Sequence, residues 1–341
     1  MEKNIKRRFR WLVPVVMGLI VLQVCHHSAS VTRDNFPRAE THWHMRQFVE
    51  EGAFGKFYHY RGLGITDQPG MRPNVDAYHS VGVFDLDAGP VTIILPDPGE
   101  RFFSMNIIDE ENHTVAMVNA PGEYVYSRQV VGTRYMLAIV RFFVDGPPEV
   151  DSQIVHGLQD AIVVKQASVG HIELIHWDKG SQARLRERLS ALAASLPDMR
   201  RAAGRKEQVD PEKHLIATAV DWGMPGSDEA LFLQRIPVPD DGSGVFQLHL
   251  SESPACGFWS VSVVDSLGNI PSGNNELYTI NNATAHRGAD GSITIQFGDC
   301  RGVAVNCLAI FPGWRYVVRL YQPLPVWQDS SQAFPAIVPV K

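Results

Sequence analysis

The 341-residue sequence lacks the short motifs on which several common chemistries depend. It contains no Gly-x-Gly-x-x-Gly or Walker loop, which argues against a nucleotide cofactor. It contains no Gly-x-Ser-x-Gly elbow, so serine-hydrolase chemistry has no motif to support it, although such triads are recognised by geometry and not by spacing. Its four cysteines show neither Cys-x-x-Cys nor Cys/His zinc spacing. We therefore predict neither a cofactor nor a metal site.

The sequence also has no excess of basic charge, with 31 Lys and Arg against 37 Asp and Glu. Its formal net charge is −6, and it becomes −10 without residues 1–30, which hold five basic residues and one acidic residue. Nucleic-acid binding needs a basic surface that neutralises phosphates, so this charge argues against it. Anionic membrane surfaces repel such a chain as well. We predict a small molecule or a glycan as the partner, and no nucleic acid.

No apolar run reaches the length of about 20 residues that a bilayer-spanning helix needs. Residues 11–24 are uncharged and mostly apolar but number only 14, and five basic residues precede them. This pattern is typical of a signal peptide, and Ser28 and Ser30 place small residues where a signal peptidase cleaves. We expect cleavage near Ser30 and export to the periplasm or cell envelope. The alternatives are an inner-membrane anchor through residues 11–24 and lipidation of Cys25.

The rest of the chain has a globular composition, with 45% hydrophobic and 20% charged residues. Short β-branched or aromatic runs, separated by Gly, Pro and Asp turns, fill residues 38–149 and again residues 227–330. Such spacing is typical of antiparallel sandwiches or barrels. We predict a mainly β protein whose two β domains are joined by a helical linker at residues 150–226. Individual helices are predicted at residues 40–51, 150–166, 181–203 and 210–221.

Several short sequence segments resemble a pair of bacterial domain families. Residues 74–80, 85–91, 101–105 and 108–109 are similar to domain-of-unknown-function family 1254. Residues 257–265, 277–280, 290–295, 306–308 and 318–323 are similar to its usual partner, family 1214. The resemblance implies a sandwich-like first domain and a jelly-roll-like second domain in an often exported protein without an established reaction. Two positions depart from the families' pattern, since Val75 replaces a frequent arginine and Cys307 replaces a usual tryptophan.

Three polar residues at alternate positions form the first candidate site. If Asn74, Asp76 and Tyr78 lie on a strand, their side chains point the same way and could bind a sugar or another polar molecule. The alternative is a turn in which Asn74 and Asp76 bond to nearby backbone.

A second candidate is catalytic. Asp76, Asp109 and Glu110 supply carboxylates for general acid/base hydrolysis, which needs two carboxyl groups roughly 5–10 Å apart. His113 lies close by in the sequence. The alternative for Asp109 and Glu110 is an acidic loop at the end of a strand.

Further candidate ligand-binding residues lie in or next to the sequence segments that resemble the two families. We assign this role to Arg101, Trp259, Tyr278 and Asn306. Trp259 and Tyr278 would stack on sugar rings if they line a groove, or else they belong to an aromatic core.

Cys300 and Cys307 are candidates for a disulfide that closes a small ring. The alternative is that these two cysteines and Cys256 are reduced, buried thiols.

These observations favour a protein that binds a small or glycan-like ligand in the cleft between its domains, since pockets often form at domain interfaces. One alternative is a periplasmic hydrolase acting on a carbohydrate, an amide or an ester. The other is a structural or interaction module.

Overall fold

The structure is a computed structural model that describes residues 28–63, 75–193, 196, 199–239, 241–266, 268–271, 276–328 and 333–340. Most of the predicted leader, residues 1–27, and the candidate ligand residue Asn74 lie outside the described residues. Within those ranges, no helix combines the length and the apolar character that a bilayer crossing requires.

The described part of the chain contains six α-helices and sixteen strands. The helices are α1 (Phe36–Glu50), α2 (Arg128–Val131), α3 (Pro148–Asp160), α4 (Lys179–Ala193), α5 (Pro211–Val220) and α6 (Pro325–Gln328). The strands up to α5 are β1 (Phe57–His59), β2 (Ala77–Asp85), β3 (Val91–Leu95), β4 (Phe103–Ile108), β5 (Thr114–Val118), β6 (Gly122–Tyr126), β7 (Tyr135–Phe143) and β8 (Val163–Lys165). Those after it are β9 (Ala230–Arg235), β10 (Phe246–Leu250), β11 (Ala255–Val264), β12 (Thr279–Asn281), β13 (Ile293–Phe297), β14 (Cys307–Leu308), β15 (Arg315–Pro323) and β16 (Val338–Pro339).

The strands form four sheets, two in each half of the chain. The first domain has a five-stranded sheet of order β1-β2-β7-β4-β5 and a three-stranded sheet of order β6-β3-β8. The second domain has two four-stranded sheets of orders β14-β13-β10-β16 and β12-β11-β15-β9. All strand pairs are antiparallel except β13 with β14. The predicted mainly β, antiparallel fold class is therefore confirmed.

Both faces of the five-stranded sheet are buried. One face packs on the three-stranded sheet in a core that includes Ile93 and Val140. The other face lies under α1 and the segment after α5, where Met45 and Trp222 pack on Ile139. Strands buried on both faces form nearly continuous apolar runs. β7 fits this description, since Arg141 is its one residue that is neither apolar nor aromatic.

The second domain has a separate core between its two sheets. Trp259, Val261 and Val318 from the β12-β11-β15-β9 sheet meet Leu248 and Ile295 from the other sheet. Alternate residues of a strand point to opposite faces. The residues between these core positions therefore point away from this core, toward the first domain.

We call the contact between that outer sheet face and the first domain the seam. The ring of Phe143 lies 4.6 Å from that of Phe258 and 4.5 Å from that of Tyr321, measured between centroids. A Cβ added to Gly257 would lie 2.5 Å from the ring of Phe102, so glycine permits this close approach. Phe258 and Tyr321 belong to the same apolar cluster as the first-domain core. The two domains thus share buried apolar surface.

The helical middle of the chain differs from its prediction in two respects. The helix predicted at residues 150–166 ends at Asp160, and β8 follows it and pairs with β3. Val163 and Val164 are β-branched and favour a strand over a further helical turn. The helix predicted from residue 181 to 203 ends at Ala193.

The middle helices also lie against the first domain. The side-chain amide of Gln159 in α3 donates to the carbonyl oxygen of His79 at 3.0 Å. The indole of Trp222, just after α5, donates to Thr41 Oγ1 at 3.0 Å. The start of α5 agrees with its prediction, because Asp210 accepts hydrogen bonds from the backbone N–H groups of Glu212 and Lys213.

Candidate functional site

Asp76 and Tyr78 lie close in sequence but their side chains have different surroundings. Asp76 is 1% exposed and lies in a turn at the seam, where Asn281 Nδ2 donates to its Oδ1 at 3.1 Å. Tyr78 belongs to the core of the first domain, with its ring edge-on to His156 of α3. The structure therefore does not bring these two predicted ligand residues to one surface.

The electrostatics of Asp76 follow from its burial at the seam. Burial raises the pKa of this carboxyl above its usual value, against the opposing influence of the Arg319 charge. Arg319 and Ser260 are paired across β15 and β11 and share the outer sheet face. Asp76 thus links a first-domain turn to polar groups of the second domain.

Asp109 and Glu110 lie at the far end of the five-stranded sheet from Asp76. Ile108 and Val83 both pair with Leu137 of β7. Val83 is seven residues along β2 from Asp76, which corresponds to roughly 23 Å of extended strand. This separation exceeds the 5–10 Å or so that a hydrolytic carboxyl pair requires.

The partners of these two carboxylates are local. Glu110 Oε1 lies 2.8 Å from His42 Nε2, and its other oxygen accepts from the backbone N–H of Arg134 at 3.0 Å. Burial would raise the pKa of Glu110, but the hydrogen bond and charge of His42, together with the backbone N–H of Tyr135 and the charge of Arg38, hold the pKa below its usual value. Asp109 Oδ1 accepts from the backbone N–H groups of Glu111 and His113, both at 2.8 Å.

Two histidines of α1, His42 and His44, have packing partners. His42 contacts Glu110, as described, and the ring of His44 stacks on Trp222 at 3.9 Å. Burial is the main reason that the pKa of His44 falls to about 3. In the described ranges, no group of three or more His, Cys, Asp or Glu side chains is arranged to hold a metal ion.

The remaining predicted ligand residues lie in several places. Arg101 is buried, where its Nη1 donates to Asp151 Oδ2 at 3.2 Å and also donates to the carbonyl oxygen of Phe143. Trp259 is fully buried in the second-domain core. The hydroxyl of Tyr278 donates to Glu276 Oε2 at 2.7 Å.

A concave pocket of about 870 Å³ opens on the second domain. Asn306 and the Cys300–Cys307 disulfide, which the structure contains, contribute to its walls. The amide of Asn306 is occupied, since its Nδ2 donates to the carbonyl oxygen of His286 at 2.7 Å. All residues that line this pocket belong to the second domain.

A second pocket, of about 210 Å³, opens where the two domains meet. Arg101 and Phe102 line it from the first domain, and Cys256 and Gln322 line it from the second. The thiol of Cys256 is free and exposed. Arg101 is thus the predicted ligand residue that borders an interdomain pocket.

The first domain also contains a row of buried polar residues that no sequence pattern had indicated. His79 and Ser104 pair with Arg141 from either side, on strands β2, β4 and β7. Directly paired residues have Cβ atoms about 4.5–5.5 Å apart on one face of the sheet. Asn106 follows Ser104 by two positions, so it lies on the same face. We call these four residues the polar row.

The polar row borders the seam. Arg141 precedes Phe143 by two positions on β7, and Phe143 contacts Tyr321 of the second domain. The charge of Arg141 interacts with Tyr321 and with Asp221, which follows α5. Residues from three parts of the chain therefore converge on this buried guanidinium.

Several atoms of the polar row have no hydrogen-bond partner among the residues that the structure describes. They are Ser104 Oγ, Asn106 Oδ1 and Arg141 Nη1. Burial lowers the pKa of Arg141, and burial together with the Arg141 charge lowers the pKa of His79 to about 3. His79 is therefore neutral near pH 7 and Arg141 supplies the positive charge.

One signal in the sequence could have identified the polar row. Strand β7 is apolar or aromatic throughout except for Arg141. A charged residue in a strand that is buried on both faces needs a partner or a function.

Fold and site together define a two-domain, mainly β protein with a buried polar row beside the contact of its domains. Two parts of the chain match two different domain families. Residues 54–166 match the family described as Protein of unknown function (DUF1254), and residues 238–325 match the one described as Protein of unknown function (DUF1214). Their identity and order confirm the resemblance drawn from the sequence.

Solved structures resemble this chain over most of its length. The VPA0106 protein from Vibrio parahaemolyticus is similar with a TM-score of 0.66 and 15% sequence identity, over 90% of this chain and 98% of its own. An uncharacterized protein from Burkholderia cenocepacia is similar with a TM-score of 0.48 and 11% identity, over 91% of this chain and 87% of its own. The first likeness supports the fold alone. No curated protein matches the sequence.

Proposed function

We propose that this protein is exported and binds a small ligand at the polar row beside the seam between its domains. The observation that carries the proposal is the set of unpartnered buried atoms on Ser104, Asn106 and Arg141. An unsatisfied buried polar group costs about 1–3 kcal/mol. Buried polar groups are nearly always hydrogen-bonded, so several unpaired ones on one sheet face call for a partner, which a bound molecule would supply.

The location beside the second domain also supports ligand binding. Interfaces between domains are preferred positions for small-molecule sites. Tyr321 from the second domain and Asp221 from the segment before it both act on Arg141. A ligand here would contact or lie near both domains.

Support for export comes from two independent features. Residues 1–27, outside the described residues, carry the basic and apolar pattern of a leader. Cys300 and Cys307 form a disulfide, a bond that persists in oxidising compartments such as the periplasm.

The geometry gives the hydrolase alternative less support. Asp76 and Asp109 are too far apart to act as one acid/base pair. The oxygens of Glu110 are bonded to His42 and to the backbone at Arg134. Ligand binding is therefore the function that the geometry supports best.

A thermal-shift screen of the secreted protein tests this proposal. Sugars, small organic acids and acyl esters are compared on the wild type and on Ser104→Ala. A bound molecule stabilises the fold by RT ln(1 + [L]/Kd), so a ligand at the polar row raises the Tm of the wild type more than that of the variant.

Ser190→Ala is the matched control, because Ser190 lies on α4, far along the chain from the polar row. A ligand at the proposed site should stabilise this control and the wild type equally. If no compound raises the Tm of the wild type, or if Ser104→Ala responds like the wild type to every compound, binding at the polar row is contradicted.

A further inference from the structure

The pocket of about 870 Å³ on the second domain is shaped largely by one loop. Most of the residues that line it lie between Gly298, which follows β13, and Ile310, which follows β14. The facing wall comes from the turn before β10 and from the segment before β12. We call residues 299–306 the disulfide loop, because the Cys300–Cys307 disulfide closes it. The form of the pocket therefore depends on what holds the disulfide loop in place.

Burial holds the middle of the disulfide loop only weakly. Arg301, Ala304 and Val305 are exposed, and Val305 keeps 44% of its surface accessible. The free energy gained from apolar burial grows with the area removed from water, so these side chains contribute little. The contacts that fix the loop must therefore be found at its two ends.

The second end of the loop is held by hydrogen bonds. Asn306 has a φ of +52°, a left-handed conformation that a residue other than glycine keeps only where its surroundings fix it. The backbone N–H of His286 donates to Asn306 Oδ1 at 2.8 Å, and Asn306 Nδ2 donates to the carbonyl oxygen of His286 at 2.7 Å. The carbonyl oxygen of Asn306 accepts from the backbone N–H of Gln296 at 2.8 Å. These bonds fix Asn306 without any help from the disulfide.

The first end of the loop depends on the disulfide. Asp299 also has a left-handed backbone, with a φ of +38°. Its carbonyl oxygen accepts from Gln296 Nε2 at 3.2 Å, but this contact is exposed, where water competes for the same groups. The next residue, Cys300, is joined to Cys307 of β14, which pairs with β13. The disulfide thus ties the first end of the loop to the sheet.

We propose that the second-domain pocket is a redox-built site, which takes its form only when Cys300 and Cys307 are joined. In the joining step the two thiols lose two electrons and two protons to a disulfide oxidant, which leaves as two thiols. The new bond closes a small ring and removes conformational freedom from the loop. The pocket is therefore complete in an oxidising compartment and incomplete in a reducing one. This site is separate from the polar row, so the inference goes beyond the proposed function and does not depend on it.

Trypsin cleavage and hydrogen exchange test this role of the disulfide. Arg301 offers trypsin a cleavage site inside the loop, since 94% of its side chain is accessible. The oxidised protein is compared with the same protein in dithiothreitol and with the double variant Cys300→Ser, Cys307→Ser. Cys256→Ser is the matched control, because Cys256 is a free thiol outside the disulfide.

The expected result is a local loosening of the pocket wall. Without the disulfide, cleavage after Arg301 should be about tenfold faster or more, because the opened ring reaches many more conformations. Amide exchange should accelerate similarly at Val303, which donates to the carbonyl oxygen of Cys300 at 3.2 Å, and at Ala309, which donates to that of Leu277 at 2.9 Å. Cys256→Ser should match the oxidised wild type in both measurements.

Two results would overturn the inference. Unchanged cleavage and exchange after reduction would mean that the loop keeps its place without the bond. Faster exchange spread evenly over β10, β13 and β15 would mean that the disulfide stabilises the whole domain and not the pocket in particular. Near-ultraviolet circular dichroism of the buried Trp259 and Trp314 shows whether each sample is folded. If the double variant alone fails to fold, the reduced wild type decides the question, and loss of the signal in both counts against the inference.

Discussion

The two faces of the β12-β11-β15-β9 sheet are both buried, but their chemistry differs. On the inner face, Trp259 and Val261 pack in an apolar core with the opposite sheet. On the outer face, Ser260 and Arg319 lie toward the first domain, and Asn281 bonds to Asp76. One strand thus alternates between an apolar interior and a polar domain contact.

This comparison shows that burial alone does not identify a core residue. Apolar groups on the inner face gain stability simply by leaving water. Polar groups on the outer face are tolerated only where partners satisfy them. Their presence on both sides of the seam marks the surface where the two domains recognise each other.

Removing the largest inner-face side chain should have the largest effect. Trp259→Ala should lower the free energy of unfolding by about 3–5 kcal/mol, because it leaves a cavity in a close-packed core. Urea unfolding measures the change. Val125→Ala is the control, since Val125 is 57% exposed and its truncation should change stability by less than about 0.5 kcal/mol. Similar small losses in both variants would contradict the assignment of Trp259 to the core.

Breaking the outer-face contact should have an intermediate effect. Asn281→Ala removes the donor to Asp76 and the acceptor for the backbone N–H groups of Ala283 and Thr284. It should lower the free energy of unfolding by about 1.5–3 kcal/mol, at roughly 0.5–1 kcal/mol for each lost hydrogen bond. Asn269→Ala is the matched control, because Asn269 donates to Asp265 in the same way but at an exposed position. If urea unfolding finds equal losses in the two variants, burial at the seam adds nothing to this contact.

The effect expected at the polar row depends on pH, and it is the smallest of the three over the single pH unit between pH 5 and 6. The pKa of His79 is about 3 in the folded protein and 6.5 when unperturbed. The unfolded chain therefore takes up a proton below pH 6.5 that the folded protein does not. The contribution of His79 to the free energy of unfolding is fully present above pH 6.5. It is lost as the pH falls toward 3, by about 1.4 kcal/mol per pH unit.

His79→Gln should remove this contribution. Between pH 5 and 6, the slope of the unfolding free energy against pH should become smaller by about 1.4 kcal/mol per pH unit. His171→Gln, at an exposed position, should keep the wild-type slope. The measurement is urea unfolding across this pH range at fixed ionic strength. An unchanged slope in His79→Gln would mean that His79 is not held neutral by the fold.

Much of the fold could be predicted from the sequence. β-Branched and aromatic runs indicated the strands, because those residues fit a pleated, buried surface. The end of α3 was missed because an apolar run that includes Val163 fits a helical period as well as a strand. Pairing with β3, which is distant in sequence, decides in favour of the strand.

The candidate site was harder to predict. His79, Ser104 and Arg141 lie on three strands that are neighbours only in the folded sheet. Strand order is not encoded in local sequence patterns, so the row becomes visible only in three dimensions. Asp76 and Tyr78 were grouped by their spacing, but a turn at Asp76 separates their surroundings.

The shared aromatic cluster at the seam has a consequence for how the protein unfolds. A chain cut between the domains would leave Phe143 on one fragment and Phe258 and Tyr321 on the other, each without its cover. Each domain by itself would expose apolar surface that the other now covers. We therefore expect the two domains to unfold in one cooperative step, without a stable isolated half.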